Sequence, residues 1–272
     1  MIPSVLARQL TLGLKEYIRT TFPVSNPVFR HSIDAFLEGD QLFRGPFVAM
    51  KLPFQPGSDN NPWFEALPLS FAPYAHQQKA FDRLCGEQPR STLVATGTGS
   101  GKTECFLYPI LEYCYRHRAQ PGIKAIVLYP MNALATDQAA RIARLVYDSP
   151  LLRSNVSAGM YVGDREKVPS RSMSREHILT DRETIRNNPP DILLTNYKML
   201  DYLLARPGDR ALWTRNDPDT LRFVVCDEFH TYDGAQGTDL ACLLRRLKSR
   251  LEVPAAHLCC VGTSATMGSE QD

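Results

Sequence analysis

The run Thr96-Gly97-Thr98-Gly99-Ser100-Gly101-Lys102-Thr103 stands directly behind a short apolar run, Thr92 to Ala95, and opens a helical stretch, Lys102 to Tyr115. A strand, a glycine-rich turn, a Lys-Thr pair and a helix in that order leave the backbone few choices. Glycines let the main chain turn its N–H groups toward one point, and the start of the helix adds a field that favours an anion there. Phosphate groups suit such a turn. Lys102 would reach the β- and γ-phosphates, and the Thr103 hydroxyl would ligate Mg2+. The usual first glycine, five places before Gly101, is Thr96 here, so the match is to a looser form of the phosphate loop. A chance glycine-rich turn explains the glycines but not the strand, the Lys-Thr pair and the helix around them.

Around this loop the chain alternates between apolar runs and helical stretches. Thr92 to Ala95, Ala125 to Tyr129, Ile192 to Leu194, Phe223 to Cys226 and Leu258 to Val261 read as strands buried on both faces. Ala75 to Leu84, Lys102 to Tyr115, Ala133 to Tyr147 and Asp239 to Leu251 read as the helices between them. The expected fold is α/β, a doubly wound parallel sheet whose ligands sit at the carboxyl ends of the strands. Upstream, Val5, Leu6, Leu10, Leu14, Tyr17 and Ile18 have helical spacing and predict an amphipathic helix packed on something larger. From Gly45 to Pro73 there are six prolines and two glycines, with a turn cluster at Gly57-Ser58-Asp59-Asn60-Asn61, which reads as a linker. The division expected is therefore a lead-in over 1–70 and a nucleotide-binding domain over 71–272. The charged stretch from Asp164 to Pro190 reads as a surface excursion with a short helix.

Two further strand ends carry chemistry. Val224-Val225-Cys226-Asp227-Glu228-Phe229-His230 is an apolar run ending in two acids. A phosphoryl-transfer site needs one carboxylate at the metal's water shell and another to orient or deprotonate the attacking water, and Asp227 and Glu228 suit these roles in turn. Two such acids also occur as a solvated turn; the phosphate loop in the same sheet favours the catalytic reading. The run Gly262-Thr263-Ser264-Ala265-Thr266 places small hydroxyl residues just past another apolar strand, suited to relay nucleotide state to movement.

Together these residues resemble superfamily 2 helicases of the DEAD/DEAH-box kind. Thr98-Gly99-Ser100-Gly101-Lys102-Thr103 stands as motif I, Asp227-Glu228-Phe229-His230 as motif II and Ser264-Ala265-Thr266 as motif III. Tyr74-Ala75-His76-Gln77 looks like the Q motif, and Tyr129-Pro130-Met131-Asn132-Ala133-Leu134 like motif Ia. Gly163-Asp164 and Thr195-Asn196-Tyr197-Lys198-Met199-Leu200 look like motifs Ib and Ic. The pattern is most similar to the Hrq and MrfA (YprA) group of DNA helicases, with related large helicases of bacterial defence islands. Phe229 stands where their motif II usually has alanine.

The resemblance implies a RecA-like P-loop NTPase fold, with ATP and Mg2+ as cofactors. Gln77 would read the adenine edge, and His230, Ser264, Ala265 and Thr266 would couple hydrolysis to movement. Pro130, Asn132, Gly163, Thr195 and Asn196 would touch a nucleic-acid strand, DNA favoured over RNA, through its backbone. Taken singly, each of these residues also reads as a helix cap or turn. In the family a second RecA-like domain supplies arginines to the transferring phosphate. The chain runs only a few residues past motif III, so that domain is expected in cis or in trans, with weak activity for the chain alone. An ATP-regulated nucleic-acid-binding scaffold without its own motor is the alternative. A small-molecule kinase would share only the phosphate loop.

Composition sets only loose bounds on these readings. Thirty-one basic against 29 acidic residues, net +2, argue neither for nor against a nucleic-acid partner. Arg245-Arg246-Leu247-Lys248-Ser249-Arg250 reads as a solvated helix face. His31, His117, His177 and His257 read as ordinary surface or core residues. Seven cysteines without a CxxC pair read as reduced and buried, consistent with the cytoplasm. No signal peptide or membrane-crossing run is expected.

Overall fold

A computed structural model describes residues 3–39, 53–58, 62–69, 71–163 and 169–265. Its contacts divide the chain into two compact units, Met1–Pro53 and Phe54–Asp272. The first holds α1 (Pro3–Thr21) and α2 (Pro27–Glu38). Periodicity singles out α1 but not α2, whose signal is its start. Asn26 accepts the Val28 amide at 3.0 Å and Pro27 fits the first helical turn. Arg19 ties the two helices through Asp34 at 3.0 Å and Glu38 at 3.5 Å. The apolar stripe expected to pack is largely exposed, with Val5, Leu10 and Tyr17 each more than half accessible.

The second unit is built on six strands: β1 (Thr92–Ala95), β2 (Ala125–Leu128), β3 (Ala158–Met160), β4 (Ile192–Thr195), β5 (Phe223–Cys226) and β6 (Cys259–Ser264). All pairings are parallel, in the order β1-β6-β5-β2-β4-β3. The doubly wound sheet expected from the alternation is present. β3 is the strand that periodicity misses, because Ala158-Gly159-Met160 carries almost no β-branched signal.

Helices α3 (Ala75–Leu84), α4 (Lys102–Arg116), α5 (Asn132–Asp148), α8 (Tyr197–Ala205) and α9 (Gly234–Arg250) form the outer layers, with short helices α6 (Pro150–Arg153) and α7 (Arg182–Asn187) between them. Strand alternation divides the core. Ala125, Val127 and Tyr129 pack with Phe106, Ile110, Leu111, Ile142 and Val146 of α4 and α5. Ile126 and Leu128 pack on the other face with Leu200, Leu203, Leu243 and Leu247 of α8 and α9. The central strands β2, β4 and β5 are buried at every position.

Part of the proline-rich stretch read as linker is strapped onto this unit. Trp63 Nε1 donates to Asp82 at 2.8 Å, and the amides of Glu65 and Ala66 both donate to the buried Glu112 carboxylate at 3.0 Å. Trp63, Phe64 and Phe81 pack with Tyr108 of α4. Asp59, Asn60 and Asn61 of the turn cluster lie outside the described residues. The cysteines need a correction too: all seven are free, but Cys242 is exposed and Cys85 and Cys260 are half-buried. Cys242 sits off the Leu240, Leu243, Leu247 stripe by which α9 faces the core. Among the described residues no helix is long and apolar enough to cross a membrane.

At the amino end of the sheet Lys124 Nζ donates to Asp191 Oδ1 at 2.5 Å and to Gln120 O at 2.6 Å. Asp191 Oδ2 accepts the Ser157 amide at 2.7 Å and its hydroxyl at 2.8 Å. The Lys124 side chain is only 1% exposed. Lys124→Ala leaves a carboxylate without its cation in a low-dielectric site, and is expected to destabilise the chain by about 3–5 kcal/mol. Urea unfolding measures this. A loss below about 1 kcal/mol, the range of exposed pairs, would mean that water already solvates Asp191.

Candidate nucleotide site

The sheet order sets the site. β6 lies between β1 and β5, so the turn leaving β1 and the acids leaving β5 flank the carboxyl end of β6, about 10 Å apart at strand spacing. Both sides are tied to it. The Thr96 amide donates to Ser264 O at 3.2 Å, and the Thr263 hydroxyl donates to Asp227 Oδ1.

The turn is shaped by its glycines and braced from outside. Gly99 and Gly101 have φ of 78° and 76°, in the left-handed region that a side chain disfavours. A Cβ on Gly101 would also collide with Gln77 Nε2. Thr96, standing in place of the usual glycine, turns its hydroxyl to the buried Ser100 hydroxyl at 2.5 Å, so the substitution adds a bond inside the loop. His76 Nε2 meets Ser100 O at 2.8 Å. Lys102 Nζ donates to Thr96 O at 3.1 Å and to Gly97 O at 3.2 Å, folding the ammonium into the loop's concave side. Thr98 and Gly99 are exposed at the tip, and Thr103 is half-buried in the first turn of α4.

Gln77 is 2% exposed. Its Oε1 accepts the Tyr74 amide at 2.9 Å and its Nε2 donates to Gly101 O at 3.2 Å. One N–H and one lone pair of that amide remain beyond these two bonds, enough for a single donor-acceptor edge.

Across β6, Asp227 N donates to Leu128 O at 3.0 Å, continuing the β5–β2 ladder. Glu228 follows with φ 49° and ψ 51°. Its amide donates to Thr263 Oγ1 at 3.2 Å, and its Oε2 is buried without a hydrogen bond, with His230 Nδ1 3.4 Å away. His230 Nδ1 in turn meets Ser264 Oγ at 3.2 Å. The structure thus joins His230 to Ser264, leaves Ala265 half-buried just past β6, and places Thr266 outside the described residues. Phe229, in place of the family's alanine, lies over Gly262, where a Cβ would stand 3.4 Å from Phe229 Cγ and 2.9 Å from Leu93 Cδ1.

Nearby phenols and thiols are held neutral. Burial first, and the Asp227 charge second, push the Tyr129 phenol well above its ordinary value; its hydroxyl has no hydrogen-bond partner. Burial likewise pushes the Cys226 thiol up to about 12, with Cys260 adding to it. Burial raises Cys105 to about 12 as well, against the lowering pull of its own backbone hydrogen bond and Lys102.

Thr263 is the residue that the motif assignment leaves out. Its signal lies in strand register: Cys226 pairs with Gly262, so the next positions, Asp227 and Thr263, stand side by side.

A second cluster sits at the ends of β2, β4 and β3. Asn132 opens α5 and Asn196 caps α8, accepting the Met199 amide at 2.8 Å. Asn196 Nδ2 donates to Asn132 Oδ1 at 3.0 Å, linking two helix starts whose amides face the same end of the sheet. Pro130 is half-buried and Gly163 exposed beside them, with Gly163 O accepting from Arg182 at 2.9 Å; Asp164 lies outside the described residues. Thr195 requires a correction. It is fully buried, its hydroxyl donates to Tyr161 O at 2.6 Å and its carbonyl accepts the Tyr129 amide at 2.9 Å. It pins β4 from inside and presents nothing to a strand.

Comparison with known proteins bears on this arrangement. The sequence profile described as DEAD/DEAH box helicase matches residues 74–272. The chain belongs to the DEAD/DEAH box helicase family. Among curated relatives, Druantia protein DruE of Escherichia coli is 30% identical over 97% of this chain and 20% of its own length. The uncharacterised ATP-dependent helicase YprA of Bacillus subtilis is 26% identical over 73% and 23%. The crystal structure of the DUF1998 helicase MrfA bound to DNA and AMPPNP superposes with a TM-score of 0.55 at 26% identity, covering 73% of this chain and 25% of that one. The chain therefore spans about a fifth to a quarter of the length of these relatives. RecA-like helicase cores are the structural neighbours of its six-stranded sheet, and the Hrq and MrfA group resembled by the motifs is among its relatives.

Proposed function

We propose that this chain holds ATP with Mg2+ in the turn at residues 97–103 and serves as the ATP-binding half of a nucleic-acid-dependent motor. The observation carrying this is the flanking of β6 by Lys102 on one side and by Asp227 and Glu228 on the other. The residues suit the ligand. The glycine tip leaves Gly97 and Gly99 open to a close approach, and a buried, hydrogen-bond-free Glu228 oxygen lies on the far side of β6 from it. Thr103 and Asp227 are hard oxygen donors of the kind Mg2+ takes alongside phosphate oxygens and water. When bound, the ion neutralises charge on the phosphates.

Lys102 exchanges the Thr96 and Gly97 carbonyls for phosphate oxygens. Glu228 orients the attacking water and accepts its proton. Gln77 reads the adenine edge with the remaining N–H and lone pair. His230 and Ser264 pass the state of the acids to β6. The starts of α5 and α8, with Pro130, Asn132, Gly163 and Asn196, hold strand phosphates without reading bases. DNA is the favoured strand, supported by the DNA-bound relative. Seven free thiols suit the reducing cytoplasm.

Lys102→Ala is expected to weaken ATP binding by at least about tenfold, the worth of one hydrogen bond to a charged group. Titration with a fluorescent ATP analogue checks this. Unchanged affinity would place the nucleotide elsewhere.

A further inference from the structure

We propose that Thr263 is a positioning residue: one buried hydroxyl fixes Asp227 toward the metal and holds Glu228 in its left-handed backbone conformation. This rests on the reading of the site as an ATP site. The geometry is specific. Thr263 is fully buried at the end of β6, its hydroxyl proton goes to Asp227 Oδ1, and its oxygen accepts the Glu228 amide at 3.2 Å. A hydroxyl has one proton to give and lone pairs to receive, so the two contacts use it as donor and acceptor at once.

Each contact constrains a different acid. With Oδ1 committed to Thr263, Asp227 is fixed in rotation and its other oxygen is left for a cation's shell. Glu228, at φ 49°, occupies a region that residues other than glycine rarely adopt unless their surroundings hold them there. The holds on it are the Thr263 oxygen on its amide and the Thr231 amide and hydroxyl on its carbonyl, at 2.9 and 2.8 Å. A shift of β6 relative to β5 would therefore move both carboxylates together. That gives the strand carrying Ser264 and Ala265 a direct mechanical handle on hydrolysis.

The test compares Thr263→Val, which keeps the shape and removes the hydroxyl, with Thr263→Ser, which keeps the hydroxyl and removes a methyl. The 272-residue chain is titrated with a fluorescent ATP analogue in Mg2+ and in excess EDTA, and its thermal unfolding is recorded. The expected result is that Thr263→Val keeps its EDTA affinity and loses about tenfold of the Mg2+-dependent tightening, a hydrogen bond to a charged group being worth that much. Thr263→Ser should retain the tightening. If the valine variant does not fold, Thr263→Ala takes its place: the hydroxyl role requires that alanine lose the Mg2+ response and serine keep it. Equal Mg2+ response in the variants lacking the hydroxyl, or loss of the response in a folded serine variant, overturns the proposal alone. Absence of any Mg2+-dependent binding by the unsubstituted chain overturns the ATP-site reading and the proposal with it.

Discussion

Glu228→Gln should leave ATP bound and lower its hydrolysis by about 10²- to 10⁴-fold, the contribution of a positioned general base. Glutamine keeps the length and shape of the side chain. The Glu228 Oε2 makes no hydrogen bond in the structure, so neutralising it removes none and weakens only its approach to His230 Nδ1, 3.4 Å away. Binding by fluorescence and phosphate release, measured on the same preparation with single-stranded DNA present, separate the two effects. A variant that binds ATP and hydrolyses it as fast as the parent would remove Glu228 from the chemistry. A parent chain that binds nucleotide and nucleic acid but does not turn over under any pairing would favour the scaffold reading.

The second large effect concerns the partner half. The proposed motor takes from a second RecA-like domain the arginines that stabilise charge on the transferring phosphoryl group, and arginine fingers of this kind are worth about 10³ to 10⁵ in rate. The residues described around the loop contribute Lys102 and the two acids. The relatives are four to five times as long as the matched region, ample for such a domain. The 272-residue chain alone is therefore expected to hydrolyse ATP slowly. Adding the second half, fused or as a separate polypeptide, should raise nucleic-acid-stimulated turnover by about that factor. Fast, DNA-stimulated turnover by the chain alone would contradict a split catalytic site.

Much of the sheet was legible because its strands are buried on both faces. Ile192 to Leu194 and Phe223 to Cys226 are apolar without a break, as parallel strands between helix layers must be, and α3, α4, α5 and α9 were read as helices, whereas the nine-residue α8 between those two strands was not. β3 was illegible because Ala158-Gly159-Met160 draws its place from partners: Gly159 lets Pro190 and Ile185 approach to 3.0 and 3.3 Å of where a Cβ would stand. The proline-rich stretch misled for a related reason. Prolines forbid regular elements, but they do not prevent Trp63 and Phe64 from packing in a core.

Motif recognition singled out Lys102, Asp227 and Glu228, and strand order brings them to the two sides of β6, because local sequence encodes the turn and the strand end. It could not separate Thr195 from Asn196, adjacent in sequence, one sealed inside β4 and the other capping α8. Only strand alternation tells which of two neighbours faces outward. Thr263 was legible as one of the hydroxyls at the end of β6, but not as the one that meets Asp227, because that partner is set by the β5–β6 register, a property of the pairing rather than of either segment.

The bare backbone at Gly262 lets two side chains close over β6 at once. A methyl there would meet Leu93 Cδ1 at 2.9 Å but the Phe229 ring at 3.4 Å, ordinary contact distance, so the aromatic in the acidic motif rests on this strand without forbidding a side chain. The leucine of β1 is the neighbour that would have to move, and because its clashing atom is the end of a flexible side chain, an alanine at position 262 calls on β1 rather than on the acids to give way.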